Sequence, residues 1–442
     1  MSKILLRFYE HDRVFFEDSY KNVAYEGAPR FTFTKIYKEA ISIFHQRGGN
    51  HYYALEHEGI KFRHFVGAIQ IHDLTIEVLP KIDRPETGSQ LINKAGWHDL
   101  LIDMLKACKQ IKPKSNQRAS LKLKSNSILD LYIELLVNEM EFLLRTGLTK
   151  QYRRQQGNLS SLKGRLVFSS QIQQNLVHQE RFYTDHVVYD TNNQVHQLLR
   201  QAMEICKRLS SSGMVKDRIC RLLLYWPETQ RVNIDERIFK KFTASRKFEP
   251  YSEALLISKM FLLNYRPDIK GGSVDMIALM FNMNVLWEEF VYQRFKSLEE
   301  VMDLTVHKQN VVDFWFSETI NKTVRPDLII AYNNKTLVVD TKWKCPEHDT
   351  PDDGDLKQML IYKLYFHADN ACLLYPEVSV SYGSEGFFND KVHHTVKLTG
   401  VKALKDALAH NCGMVYLNLF RNGALINAEH FRQEMLPILK LI

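Results

Sequence analysis

Hydrophobic and polar positions change their spacing twice along the 442 residues of this chain. Residues 1–83 favour the two-residue period of strands, as over Ile4–Tyr9 and Phe31–Phe33, with a helical stretch near Ile36–Phe44 interposed. The clearest element there is a hairpin: Ile69 and Ile71 alternate with polar neighbours, His72-Asp73 supplies a turn, and Leu74, Ile76 and Val78 alternate again before Pro80 stops the strand. From about Ala95 to Tyr265 apolar residues recur every three or four positions, as in Ile128–Leu144 and Gln194–Leu209, which predicts helices. A loop and short strand carrying Lys163 and Arg165 are expected to interrupt them near Gly157–Phe168.

Beyond Asn282 helix and strand signals mix. A helix over Asn282–Phe295 carries Leu286, Trp287 and Phe290 on one face. Strands are expected at Val311–Phe316, Asp327–Tyr332, Leu337–Trp343 and Ala371–Leu374, with a helix over Asp355–Phe366 before the last. Further strands at Thr395–Leu398 and Val415–Leu419 and a helix near His430–Leu439 follow. The pattern predicts a multi-domain α/β chain: a β-rich module over 1–94, a mainly helical connecting domain over 95–270, and an α/β domain with a mixed central sheet over 271–442.

Composition narrows the function. An apolar content of 45% over this length suits two or three packed cores rather than a disordered chain. Six scattered cysteines with no C-x-x-C pair argue against a disulfide framework and a structural zinc site, and favour a reducing, cytoplasmic setting. Charges within Met1–Asp12 come too early for a signal peptide, and no apolar run approaches the ~20 residues of a membrane span. No G-x-x-x-x-G-K-[ST] loop occurs, so the chain itself is expected to bind no nucleotide. The formal charge of +8 suits a polyanionic partner. Basic stretches between Lys106 and Lys124 and at Lys150, Arg153 and Arg154 either follow phosphates or form solvated faces.

The sharpest chemical signal is Arg325-Pro326-Asp327, a strand, a turn at Asn333-Asn334, and a second strand ending Asp340-Thr341-Lys342. Alternation along a strand puts Asp340 and Lys342 on one face, where Asp327 of the neighbouring strand can meet them. Two convergent carboxylates suit a hard divalent cation such as Mg²⁺, with Mn²⁺ as a substitute. The cation would activate water against a phosphodiester while Lys342 orients the nucleophile or neutralises charge. A bare Pro-Asp followed by [Asp/Glu]-x-Lys turns up by chance in roughly one chain in ten of this length, so context has to carry it. That context is the apolar run Leu337–Val339, at whose end an acid and a lysine are costly unless paired or holding a metal. Arg266-Pro267-Asp268 repeats the first half without a matching strand and reads as a turn. Glu288, on the preceding helix, is a candidate further acid holding metal or metal-bound water, or else a solvated charge beside Glu289. Asp355, Gln358 and Tyr362 share one helical face; Gln358 can approach the site, Asp355 is also a natural N-cap, and Tyr362 a natural core residue.

These residues resemble the McrC family, nuclease subunits that partner a GTP-hydrolysing AAA+ motor in restriction of modified DNA. The resemblance runs through Val66-Gly67-Ala68-Ile69 with Leu74–Lys81, Leu162-Lys163-Gly164-Arg165-Leu166, Tyr189-Asp190, Leu286-Trp287-Glu288, Pro326-Asp327, Asp340-Thr341-Lys342-Trp343-Lys344 and Asp355-Leu356-Lys357-Gln358, over about residues 60–376. It implies a C-terminal PD-(D/E)xK restriction-endonuclease-like domain with Asp327, Asp340 and Lys342 catalytic and Glu288 and Gln358 in support. It also implies a front module that docks on an AAA+ GTPase oligomer, double-stranded DNA as substrate, and base recognition and GTP hydrolysis largely outside this chain. A DNA-binding adaptor or motor activator with an inert nuclease-like site is the alternative. The acidic loop from Cys345 to Gly354 and the long tail beyond Pro376 depart from the family pattern.

Overall fold

The computed structural model describes residues 4–25, 27–80, 100–101, 104–105, 107–108, 128–228, 231–243, 246–266, 275–317, 319–344, 346, 350–377, 384–387, 411–421 and 424–440. The chain forms two compact units. One comprises Met1–Ile4, Ala68–Thr75 and Pro113–Leu279; the other comprises Leu5–Gly67, Ile76–Lys112 and Met280–Ile442 and so combines the front of the sequence with its last third.

Helices Ile128–Thr146, Gln194–Leu209, Gly213–Tyr225 and Ser252–Asn264 build the core of the first unit. Gln194–Leu209 shows why. The Asn193 side chain accepts from His196 N and caps the helix, Lys207 and Arg208 lie in its last turn, and Leu198, Leu199, Ala202, Met203 and Cys206 bury one face. The interruption between these helices is larger than the expected loop and short strand. Gln151–Leu159 and Phe182–Asp190 pair antiparallel over nine residues, and Arg165–Leu166 joins the free edge of the latter. These strands expose one face to solvent and carry mostly polar residues on the other as well, so no apolar alternation predicts them. The nominally helical middle region is therefore mixed.

In the second unit, Arg13–Phe15, Gly59–Phe62 and Tyr53–Glu56 form an antiparallel sheet beside the helix Lys35–Gln46. Phe31–Phe33 is no strand; only Phe31 bridges, to Tyr20, and the rings of Phe31 and Phe33 pack edge-on in an aromatic cluster. The alternation there reflects core contact rather than a ladder. The hairpin strands are Phe65–Ile71 and Leu74–Leu79, with His72 in the left-handed region at the turn. Its polar positions are not solvated as alternation implied: Glu77 is buried and meets Arg7 at 2.9 Å.

The last third forms a six-stranded mixed sheet in the order Leu304–Lys308, Leu328–Tyr332, Lys335–Thr341, Asn370–Glu377, Asn411–Asn418, Ser384–Phe387. The first three strands run antiparallel, the third, fourth and fifth are mutually parallel, and the sixth is antiparallel to the fifth. Asn333 and Asn334, both at positive φ, make the tight turn between the second and third strands. The helix Asp353–Tyr365 supplies the crossover between the parallel third and fourth strands. Residues Val312–Phe316 pair with Asn321–Val324 in a separate two-stranded hairpin. Asp268, Thr395–Leu398 and, apart from Ala107 and Cys108, the basic stretch Lys106–Lys124 lie outside the described residues. The five described cysteines are free thiols, and among the described residues no helix is long and apolar enough to cross a membrane.

Candidate active site

Register brings the two aspartates together. Leu328 pairs with Val339 at the end of the antiparallel ladder, so Asp327, just before one strand, comes near Asp340 of the other, and its charge is felt there. Thr341 fixes the first of them, its backbone N and its Oγ1 each donating to Asp327 Oδ2 at 2.7 Å. Gln309 N donates to the Asp327 carbonyl at 3.0 Å.

Asp340 ends a strand buried on both sides and is itself only 3% exposed. Lys342 Nζ stands 2.6 Å from its Oδ2. Burial, then the charge of Asp327, pushes the Asp340 carboxyl up to about 6 against the pull of Lys342. The Lys342 ammonium also lies 3.1 Å from Asp355 Oδ1 and donates to Gln358 Oε1 at 3.1 Å. Burial works against its charge, but Asp340 and Asp355 prevail and hold it above the ordinary lysine range.

The crossover helix delivers the supporting groups from one face. Gln358 Nε2 donates to Tyr362 Oη at 2.5 Å, and Tyr362 Oη donates to the Arg325 carbonyl at 2.9 Å, so the buried tyrosine ties the helix to the chain just before Asp327. Asp352, not Asp355, occupies the N-cap position. Asp355 falls in the first turn between two lysines, with Lys344 Nζ 2.6 Å from its Oδ2. Burial raises its carboxyl, but Lys344 and Lys342 outweigh that and leave it below the usual range.

Glu288, on the helix Met283–Leu298, lines the same cavity of about 590 Å³ as Arg325, Asp327, Asp340, Lys342 and Gln358. Its Oε1 accepts from Gln309 Nε2 and lies 3.6 Å from Lys308 Nζ, which meets Glu289 at 2.5 Å. Both glutamates are therefore paired, not solvated. Burial and then the Asp327 charge raise the Glu288 carboxyl. Trp343 lines the cavity as well. Its ring lies 5.9 Å from that of Trp287, and its Nε1 donates at 3.0 Å to Oε2 of Glu10, a buried residue of the front module. Leu374 O accepts both Lys342 N and Trp287 Nε1.

The structure thus gathers Glu288, Asp327, Asp340, Lys342 and Gln358 around one cavity. Among the described residues no three His, Cys, Asp or Glu side chains stand close enough to hold a metal ion as they are. The donor set that fits a hard cation is the neighbouring pair Asp327 and Asp340, two oxygen ligands whose mutual repulsion a cation would relieve. Sequence reasoning missed Thr341, Lys344 and Glu10. Thr341 and Lys344 sat unread within the motif string, whereas Glu10 carried no local signal at all.

Comparison with known proteins adds the family. The family model described as McrBC 5-methylcytosine restriction system component matches residues 60–376. Among solved structures, a chain of the refined half-complex from the tetradecameric assembly of Thermococcus gammatolerans McrB AAA+ hexamers with bound McrC superposes with a TM-score of 0.69 at 15% identity, covering 98% of this chain and 100% of that one. A chain of the Thermococcus gammatolerans McrBC complex gives a TM-score of 0.48 at 16% identity over 66% of this chain and 87% of that one. No curated protein matches.

Proposed function

The chain belongs to the family of McrBC 5-methylcytosine restriction system components, as an McrC-type subunit, and from that premise we propose that it is the nuclease subunit of such a system. It hydrolyses phosphodiester bonds of double-stranded DNA with a divalent cation, Mg²⁺ or Mn²⁺, through a PD-(D/E)xK-type site, and an AAA+ GTPase oligomer activates it. The observation that carries the reading is the neighbouring carboxylates Asp327 and Asp340 with Lys342 2.6 Å from the second, all lining one open cavity. A purely structural ion pair has no need of a second carboxylate that raises the first one's pKa.

A bound cation would supply Lewis acidity toward the scissile phosphate and acidify a water. Asp327 and Asp340 would hold it, and Glu288, in the same cavity, would hold the metal or a water bound to it. The chain's own groups do the rest. Lys342, kept protonated by Asp340 and Asp355 and aimed by Gln358, faces the charge that develops on the phosphoryl oxygens. Thr341 stops the Asp327 carboxylate from rotating away. The AAA+ partner is carried over from the neighbouring fold, whose McrC is bound to McrB AAA+ hexamers.

The test is Mg²⁺-dependent cleavage of modified DNA by the chain with its partner, comparing the unsubstituted protein with Asp327→Ala and Asp340→Ala. Loss of cutting with an intact partner complex is expected, and cutting retained in either variant would overturn the assignment. One observation favours a second reading, an adaptor with an inert nuclease-like site: Lys342 and Lys344 already neutralise Asp340 and Asp355. Under that reading the site need not hold Mg²⁺ or Mn²⁺, so cation binding measured by calorimetric titration discriminates the two.

A further inference from the structure

The hairpin Val312–Phe316/Asn321–Val324 stands apart from the main sheet and exposes an unusual set of side chains. Phe316 is 78% exposed, Trp315 51% and Ile320 51%, a grouping of apolar side chains on one short hairpin of the kind that marks contact surfaces. The hairpin is also stiff. Ser317 N donates to the Ile320 carbonyl across its turn at 2.8 Å, Asn321 Nδ2 donates to Asp313 Oδ1 at 2.7 Å, and Phe314 packs edge-on against Tyr365, whose hydroxyl donates to the Phe314 carbonyl. A bulge between Asp313 and Trp315 re-aims the aromatic residues that follow it.

Both feet of the hairpin stand in the candidate active site. On one side Gln309 donates through its backbone to Asp327 and through its side chain to Glu288. On the other Val324 packs into the core beneath the crossover helix, and Arg325-Pro326 leads directly into Asp327. A polymer whose phosphate lies at Asp327 and Asp340 therefore passes beside the hairpin. In sequence the hairpin carries Asp313 and Glu318 against Lys322, so its chemistry is that of aromatic stacking rather than phosphate neutralisation.

We propose that this hairpin is a DNA wedge, with Trp315 and Phe316 stacking on or inserting between bases of the duplex that flanks the scissile phosphate. The proposal deepens the nuclease reading and rests on it for the identity of the polymer. Insertion of apolar side chains at a base step opens and kinks a duplex, which would expose the backbone to the site.

The experiment measures duplex binding by the full chain, alone and with its AAA+ partner, without divalent metal and at several salt concentrations. Trp315→Ala and Phe316→Ala should each weaken binding by roughly tenfold with the salt dependence unchanged. Both aromatic side chains are solvent-exposed, so their removal leaves the fold intact, which circular dichroism verifies. Unchanged duplex affinity in both aromatic variants overturns the proposal. So does transfer of the effect to another contact, seen as lost partner association or as a changed oligomeric state in sedimentation. Asp340→Asn separates the two readings: if it still cuts DNA the nuclease assignment falls, while the binding series judges the hairpin on its own.

Discussion

Glu10 and Trp343, separated by 333 positions, share a buried hydrogen bond of 3.0 Å. The residue that receives it belongs to the front of the chain, and the residue that donates it follows Lys342 directly. The front of the sequence therefore helps to build the wall of the cavity that holds the two aspartates. Replacing Glu10 by Leu would leave the indole N–H buried and unsatisfied, at a cost of about 1–3 kcal/mol. Glu10→Gln keeps an acceptor and should recover most of that loss. Chemical denaturation gives the stability difference and cleavage assays the functional one; equal behaviour of the two variants would show that the bond does not matter.

Asp340 should be an acid that the fold holds at a cost. Its carboxyl titrates near 6 rather than 3.8, so the folded protein binds the proton more tightly than the unfolded chain. The stability this proton contributes is fully present below about pH 3.8 and is lost as pH rises through 6. At pH 8 in a chelator, Asp340→Asn should therefore be more stable than the unsubstituted chain, by an amount on the order of 3 kcal/mol at most, and inactive. Denaturation curves at pH 4 and pH 8 check the sign. A destabilised Asn variant at pH 8 would mean that Lys342 fully compensates the buried charge.

Cation binding should reverse the same repulsion. Adding Mg²⁺ or Mn²⁺ to chelator-treated protein should raise the melting temperature of the unsubstituted chain, and Asp340→Asn should show little response. Affinity should weaken as pH falls through about 6, because the proton and the cation compete for Asp340. Titration calorimetry at two pH values measures this. A pH-independent affinity would place the cation elsewhere.

Thr341 should matter although the motif treats its position as free. Thr341→Val removes the Oγ1 donor to Asp327 but keeps the backbone one, and the loss of one hydrogen bond to a carboxylate predicts roughly a tenfold fall in cleavage rate. Thr341→Ser should restore it. If Val and Ser variants cut equally well, the backbone N–H alone orients Asp327.

Much of this protein was legible in one dimension, wherever neighbours in sequence are neighbours in space. Helical periods located Ile128–Thr146 and Gln194–Leu209 because each buries a repeating face. Asp327, Asp340 and Lys342 were readable because an antiparallel pair joined by a two-residue turn converts sequence spacing into register. Gln358 followed from helical spacing within the next element. Three things had to wait for the tertiary structure. The strands Gln151–Leu159 and Phe182–Asp190 bury largely polar residues such as Thr184 and His186, so no apolar period marks them and only their mutual pairing reveals them. The roles of Asp355 and Lys344 depend on which charges the crossover helix meets when it packs back on the sheet. Glu10 reaches Trp343 only through the chain's long-range path, since burial and partnership across hundreds of residues are properties of packing and leave no trace in local pattern.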